Sequence, residues 1–289
     1  SNRSPGDKIY MVRLLKSAGV KLNAVDINGY SALHTYMSDF DIDISAEDFE
    51  EVVDMLLDSG VDINQTEENG NTALHLMFKR TYGSEVASVE EQALYTEVIK
   101  SFVERGADTN ILNNYGSTLL HMAAETMMSN VCRYLMQAGV DSSRNSFGGG
   151  SPVFGLLVAG SIVKGVTVQL ISEMITTLCD EGNIDINMPG IDGSLVIRQA
   201  VQTGTLELIK LFIAKGSSLH AKDLNGNGIL HYLTKSHAEE LDYLLGLLQE
   251  DINDKNHIGL TPLHVACAQG RYFIVERRLH AGEIGRAHV

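Results

Sequence analysis

Histidine has the widest chemical reach of the side chains here, and five copies fall in one recurring setting. His34, His75, His121, His231 and His264 each follow a leucine, in "ALH", "ALH", "LLH", "ILH" and "PLH". An imidazole can ligate a metal, move a proton, or donate a hydrogen bond from one ring nitrogen while the other accepts. Ligation needs several such groups at about 2 Å from one ion. These five stand one per motif along the chain, too dispersed to share an ion. Their expected role is hydrogen bonding between neighbouring motifs. "GLLVAGS" from Gly155 has the G-x-x-x-x-G spacing of a phosphate loop but lacks the lysine that reaches the phosphates. No G-x-S-x-G, H-E-x-x-H or C-x-x-C stretch occurs. Catalytic, metal and cofactor sites are therefore all expected to be none, and the chain is not expected to be an enzyme.

The histidine motif belongs to a longer repeated block. "GYSALHTYM" begins at Gly29, "GNTALHLMF" at Gly70, "GSTLLHMAA" at Gly116, "GSLVIRQAV" at Gly193, "GNGILHYLT" at Gly226 and "GLTPLHVAC" at Gly259, with a degenerate "GGSPVFGLL" at Gly149. The intervals between successive glycines are 41, 46, 33, 44, 33 and 33 residues, as from one 33-residue unit carrying insertions. In the last block Thr261 before the apolar run caps exposed helix N–H groups, and Pro262 sits where a missing N–H costs nothing. A second signature follows: "MLLDSGVDIN", "SFVERGADTN", "LCDEGNIDIN" and "LFIAKGSSLH". Here an apolar helix closes at a glycine such as Gly60, Gly106 or Gly216, suited to the left-handed conformation that ends a helix. Gln249 stands where such a glycine is due, so that helix end is expected to be strained or rearranged.

Together "DINGYSALH", "NGNTALHL", "GADTN", "GVDIN" and "GLTPLHVA" resemble the D-x-x-G-x-T-P-L-H and G-A-D-x-N elements of ankyrin repeats, over about residues 9 to 282. The resemblance implies an all-α ankyrin-repeat solenoid of helix-turn-helix units joined by short β-hairpin turns. It implies a single array over 1–282: a partial repeat at 1–25, then repeats starting near 26, 67, 113, 146, 190, 223 and 256. One such unit has too little interior to fold alone and must bury its apolar faces on its neighbours. Leu33, Leu74, Leu120, Leu230 and Leu263 are expected in the inner-helix seam. Val53, Leu56, Val98, Phe102, Ile209, Phe212, Leu244 and Leu248 recur at helical spacing and should seal the second helices together.

Twenty-two Lys and Arg against 37 Asp and Glu leave a net charge of −15. Such a surface repels a phosphate backbone, which argues against nucleic acid. "VFGLLVAGSIV" is too short to cross a bilayer. Cys132, Cys179 and Cys267 are an odd number set in apolar stretches, which fits buried thiols of a reducing, cytoplasmic compartment. "EIGRAHV" at 283–289 resembles a sequencing adapter read in frame and is set apart as a non-native tail. The opening half repeat and the uncapped "FIVERRLHAG" lead to the expectation that further sequence belongs at both ends.

Register places extra residues between the two helices of the first, second and fourth repeats. The first insertion, 38–51, carries Asp39, Asp41, Asp43, Glu47, Asp48, Glu50 and Glu51, and Ser45 with Asp48 reads as a capped helix start. It is either a solvated cap or a docking edge for a partner with a basic surface.

The resemblance further implies a non-catalytic scaffold or adaptor that binds another protein through hairpin tips and inner-helix faces. The tip positions are Ile27, Asn28, Tyr30, Glu68, Asn69, Asn71, Asn114, Tyr115, Ser117, Leu224, Asn225, Asn227, His257, Ile258 and Leu260. Tyr30, Tyr115, Leu224 and Leu260 are the expected anchors. Inner-helix candidates are Ser38, Lys79, Arg80, Glu125, Thr126, Lys235 and Ser236. Asn64 and Asn253 resemble ankyrin asparagines open to hydroxylation. The alternative is the ankyrin portion of a larger effector enzyme, toxin or channel, and a bare structural spacer is a third reading.

Overall fold

The structure, a computed structural model, describes residues 5–40, 44–79, 81, 85–146, 150–159, 165–203, 205–233 and 238–271. The tail at 283–289 lies outside them, as do Asp41 and Asp43. Short and long helices alternate along the chain. They are α1 (Pro5–Ser17), α2 (Ala32–Ser38), α3 (Ala46–Asp58), α4 (Ala73–Lys79), α5 (Val89–Glu104), α6 (Leu119–Glu125) and α7 (Ser129–Gln137). There follow α8 (Pro152–Ala159), α9 (Val168–Thr176), α10 (Val196–Thr203), α11 (Leu206–Ala214), α12 (Ala238–Leu247) and α13 (Pro262–Ala268). Among the described residues no strands pair into a sheet, and an isolated antiparallel bridge joins Val25 to Ser31. The fold is all-α.

The chain divides into two compact units, Ser1–Gly148 with Val158–Val166, and Gly149–Leu157 with Thr167–Val289. In the first, inner helix α2 packs on α4 and α4 on α6, while α1 packs on α3 and α5 on α7. In the second, α9 packs on α11, and α10 on the 3-10 turn Ile229–Tyr232 that replaces an inner helix.

The predicted seams are buried: Leu33, Leu74, Leu120 and Leu230 on the inner side, and Val53, Leu56, Val98, Phe102, Ile209, Phe212, Leu244 and Leu248 on the outer. Leu263 differs and is only half-buried. It lies on α13, the last described helix, with no further described helix stacked beyond it. Six aromatic side chains fill the first unit's seam: Phe49 stacks on Tyr36 at 5.9 Å between centroids, meets Phe40 edge-on at 5.8 Å and tilts over Phe102 at 6.3 Å. Tyr95 joins Phe40 and Phe78 at 5.7 and 5.8 Å.

The extra residues lie between α2 and α3, between α4 and α5, and between α8 and α9. Ser45 caps α3, its Oγ accepting from the Asp48 N–H at 3.1 Å. Several acids of this region pair within the unit. Asp54 takes a guanidinium hydrogen bond from Arg105 at 2.9 Å, Glu50 pairs with the same Arg105, and Glu51 accepts from Arg13 at 2.7 Å. Lys16 reaches Asp58 at 3.7 Å and Lys8 reaches Asp39 at 2.9 Å. Phe40 and Ile44 turn inward and are buried. Each such surface pair is worth at most about 1 kcal/mol. Their first effect is to tie α3 to α1 and α5 and to leave less charge for a basic partner.

Two helix ends depart from the glycine rule, for different reasons. Gly60, Gly106 and Gly216 are left-handed, with φ of 83°, 90° and 85°. After α9, however, "CDEGNIDIN" carries one residue more between its glycine and asparagine than "VERGADTN" does. A π-helical turn at Thr177–Glu181 absorbs it, Gly182 stays right-handed at φ −87°, and Asn183 takes the left-handed position at φ 50°. Asparagine is the non-glycine residue that tolerates this best. Asn183 is exposed, so replacing it tests backbone alone. Asn183→Val should cost about 1–2 kcal/mol and Asn183→Gly much less, read by thermal unfolding. At Gln249 the chain is rearranged without strain. It keeps helical angles, φ −57° and ψ −33°, and runs into a 3-10 turn at Glu250–Asn253.

The cysteines correct one expectation. Cys132 is buried, Cys179 is half-buried, and Cys267 on α13 is exposed. Like Leu263, Cys267 has no described helix stacked beyond it. Burial pushes the Cys132 thiol up to about 12 and Cys179 to about 11, which makes both poor nucleophiles.

Candidate protein-binding surface

Five of the blocks open with a tight hairpin whose geometry follows from a polar residue three positions before the glycine, whereas in the block at Gly193 that position is Gly190 and Asp192 Oδ1 accepts from the Ser194 N–H instead. Asp26 Oδ1 accepts from the N–H groups of Asn28 and Tyr30, both at 2.9 Å. Glu67 does the same for Asn69 and Asn71 at 3.0 Å, Asn113 for Tyr115 and Ser117 at 3.0 Å, and Asp223 for Asn225 and Asn227 at 2.8 and 2.9 Å. Asn256 serves Ile258 and Leu260. The D-x-x-G pattern was visible in the sequence, but this acceptor role was not assigned to it. Burial pushes the Glu67 carboxyl up, and the hydrogen bonds from Asn71 and Asn69 outweigh it, so its pKa ends below the ordinary value.

Successive hairpins are then joined through backbone. Glu68 N–H donates to Asn28 O at 2.7 Å and Asn114 N–H to Asn69 O at 2.8 Å in the first unit. Leu224 N–H donates to Asp192 O and His257 N–H to Asn225 O, both at 2.9 Å, in the second. Glycine is needed for this approach. A Cβ on Gly70, at φ 75°, would lie 2.7 Å from Asn114 Oδ1 and 2.8 Å from its N. Gly70→Ala should therefore lose at least about 1 kcal/mol in thermal unfolding from backbone strain alone, with the clash in addition.

The histidines make the next layer. His34 Nε2 lies 3.1 Å from Asn71 O, His75 Nε2 3.3 Å from Ser117 O, and His231 Nε2 3.1 Å from Leu260 O. A carbonyl only accepts, so Nε2 carries the proton and Nδ1 is bare. Nδ1 then accepts from the capping residue before the helix: from Thr72 N–H at 3.3 Å for His75, and from Ser31 N–H at 3.2 Å for His34. One ring thus closes its own helix start and fastens it to the following hairpin, as the spacing predicted. In "GSLVIRQAV" Arg198 holds the histidine slot. Its Nη1 pairs with Asp192 Oδ2 at 2.7 Å, and its Cζ lies 4.8 Å from the centroid of the Tyr232 ring, whose hydroxyl donates to Asp223.

A third layer was missed. Asn64 Nδ2 donates to Gly106 O at 3.1 Å while its Oδ1 accepts from Asp108 N–H at 2.8 Å. Asn110 repeats this with Gly139 and Asp141, and Asn187 with Gly216 and Ser218. The asparagine of "DIN" is therefore an inter-repeat fastener. Asn253, within the 3-10 turn, is exposed.

These fasteners determine which side chains face outward. Ile27, Asn28, Glu68, Asn114, Tyr115, Leu224, Asn225, His257 and Ile258 are exposed; Tyr30, Asn69, Asn71, Ser117, Asn227 and Leu260 are half-buried. Asn71 is held by Glu67 and Asn113, and Asn227 by Asp223 and Asn256. On the inner helices Ser38 and Lys79 are exposed, and Glu125 is half-buried, its carboxyl pushed up by burial. Thr126 corrects an expectation. It is buried, its hydroxyl donating to Met122 O at 2.8 Å, so it presents no surface to a partner. Arg80, Lys235 and Ser236 lie outside the described residues. Among the described residues no three His, Cys, Asp or Glu side chains converge as metal ligands, and no helix is long and apolar enough to cross a membrane.

Comparison with known proteins agrees with this construction. A sequence profile of ankyrin repeats matches residues 42–146 and 197–284, in three copies. A Medicago truncatula protein described as "Protein VAPYRIN-LIKE" is 26% identical over 113 residues, covering 36% of this chain and 22% of that protein. The chain thus spans about a fifth of the curated relative's length. The crystal structure of the ankyrin repeat domain of Bcl-3, described as a unique member of the IkappaB protein family, superposes with a TM-score of 0.59 at 20% identity. That match covers 88% of this chain and 99% of the Bcl-3 domain and speaks for the fold. With the ankyrin-repeat profile matching 42–146 and 197–284, the chain belongs to the ankyrin-repeat family, a general protein–protein interaction module.

Proposed function

We propose that this chain is a non-catalytic scaffold or adaptor that binds another protein through its hairpin tips and inner-helix faces. The supporting observation is the division of labour within each hairpin. Backbone groups and the histidine and asparagine side chains are spent on neighbouring repeats, while Ile27, Tyr115, Leu224 and Ile258 stand out into solvent. Large apolar side chains exposed at successive positions are costly unless a partner covers them. The array is monomeric in this reading, since a charge of −15 opposes self-association. A cytoplasmic location suits its three free thiols.

The longer Medicago relative favours a second reading, in which such an array positions another domain of a larger protein. Photo-crosslinking separates partner binding from a bare spacer. A benzophenone amino acid at Tyr115 or Leu224 should capture a reproducible set of proteins, whereas the same group at Glu104 on an outer helix should not. Capture from Glu104 alone would overturn the reading.

A further inference from the structure

In "GSLVIRQAV" the histidine slot holds Arg198, and the backbone groups that an imidazole serves elsewhere lie open there. In other repeats Nδ1 accepts the N–H three residues before the ring, from Ser31 for His34, Thr72 for His75, Thr118 for His121 and Gly228 for His231. Nε2 meets a carbonyl of the next hairpin, at Asn71, Ser117 or Leu260, each one residue after its glycine. The matching groups around Arg198 are Leu195 N–H and Asn227 O. Among the described residues Leu195 N–H has no acceptor, and Asn227 O takes only the Asp223 N–H, at 3.1 Å.

Arg198 does not replace the ring by itself. A guanidinium only donates, so it offers Leu195 N–H nothing. Its Nη1 is drawn to Asp192 Oδ2 at 2.7 Å, and its Cζ lies over the Tyr232 ring. Its Nε is buried and has no hydrogen-bond partner among the described residues. Two donors and one acceptor site are thus left at one joint. Leu195, Arg198 and Asn227 all line one cleft of about 20 Å³. A water needs about 10–15 Å³ and two to four polar partners. We propose that this cleft binds one ordered water in place of the missing imidazole, accepting from Leu195 N–H and Arg198 Nε–H and donating to Asn227 O. The hairpins of Gly193 and Gly226 are then fastened through solvent, where their counterparts are fastened through a side chain. Nothing in this depends on what the tips bind.

Donor count and charge select the occupant. Water supplies the two lone pairs and the proton that the joint lacks. An anion would face Asn227 O, which only accepts, and the charge of Arg198 is already met by Asp192. A metal ion would face a guanidinium and an N–H. Leaving the buried Nε unpaired costs more than immobilising a water.

A high-resolution crystal structure of the full chain should show one water within about 3.2 Å of Arg198 Nε, Leu195 N and Asn227 O. In solution the Leu195 amide and the Arg198 Nε–H should each give an NMR cross-peak to water, with the sign of a molecule that tumbles with the protein. Both measurements use the parent chain and stand without a variant. Arg198→His rebuilds the usual joint, so its ring should carry a proton on Nε2 and none on Nδ1, and the Leu195 cross-peak should be lost. Hydroxyl protons of Ser194 and Ser218, which also line the cleft, exchange with water, so the signal should survive in S194A and in S218A. A dry cleft in the crystal, a Leu195 amide shift that follows chloride concentration, a cross-peak unchanged in R198H, or one lost in S194A or S218A would overturn the inference.

Discussion

Acidifying the full chain from about pH 7 to about pH 4 should remove about 3 kcal/mol of folding free energy through His75 alone. Burial holds this imidazole at a pKa of about 4, against 6.5 when exposed. Hydrogen bonding to Ser117 O and the charge of Glu67 offset only part of that. Because the folded pKa lies below the unfolded one, the unfolded chain binds the proton first as pH falls. The stabilisation is complete above about pH 6.5, declines through the interval down to about 4, and falls no further from this group below that. Protonation also costs a hydrogen bond at Nδ1. Protonating it abolishes the acceptor that takes the Thr72 N–H and lies 2.8 Å from the Thr72 hydroxyl. His34 is shifted in the same direction, again chiefly by burial, and adds to the decline. Urea unfolding at successive pH values should show it, and His75→Ala should flatten the slope between about pH 6.5 and 5. The carboxyls of Asp192 and Asp223, lowered below their ordinary value, contribute only further down. Their stabilisation is lost as pH falls below about 4.

Truncating Phe49 should cost still more, about 3–5 kcal/mol for Phe49→Ala. Its ring is buried and touches Tyr36, Phe40 and Phe102, which come from α2, the following segment and α5. Removing it leaves a cavity flanked by three aromatic faces that cannot collapse together while their backbones are held by hairpin bonds. Because each repeat is stabilised by its neighbours, the loss should spread to α2 and α5. Hydrogen exchange should show faster amide opening there and little change in α11.

How much of this was legible depends on what repeats. Leu74, Phe102 and the capping Ser45 were found because period and cap chemistry are local and recur. The histidine role was found because spacing excluded the alternative. The asparagine layer escaped because the residues that Asn64 reaches, Gly106 and Asp108, lie more than a repeat away and look like turn residues themselves. The shift from Gly182 to Asn183 escaped because a single inserted residue does not reveal whether helix or turn will absorb it. Ile191, an exposed tip residue of the second unit, escaped because its block departs from the motif, with Arg198 in the histidine slot. The pairing of Glu50 and Glu51 in the acidic insertion was not legible because their partners, Arg105 and Arg13, come from other repeats.

Imidazoles fasten one repeat to the next, and the most direct measurement of this is the nitrogen-15 NMR spectrum of the histidine rings across pH. At about pH 7 His34, His75 and His231 should each show a protonated Nε2 and a bare Nδ1, and His75 should not titrate until about pH 4. A proton on Nδ1 in these three rings, or a His75 midpoint near 6.5, would contradict it.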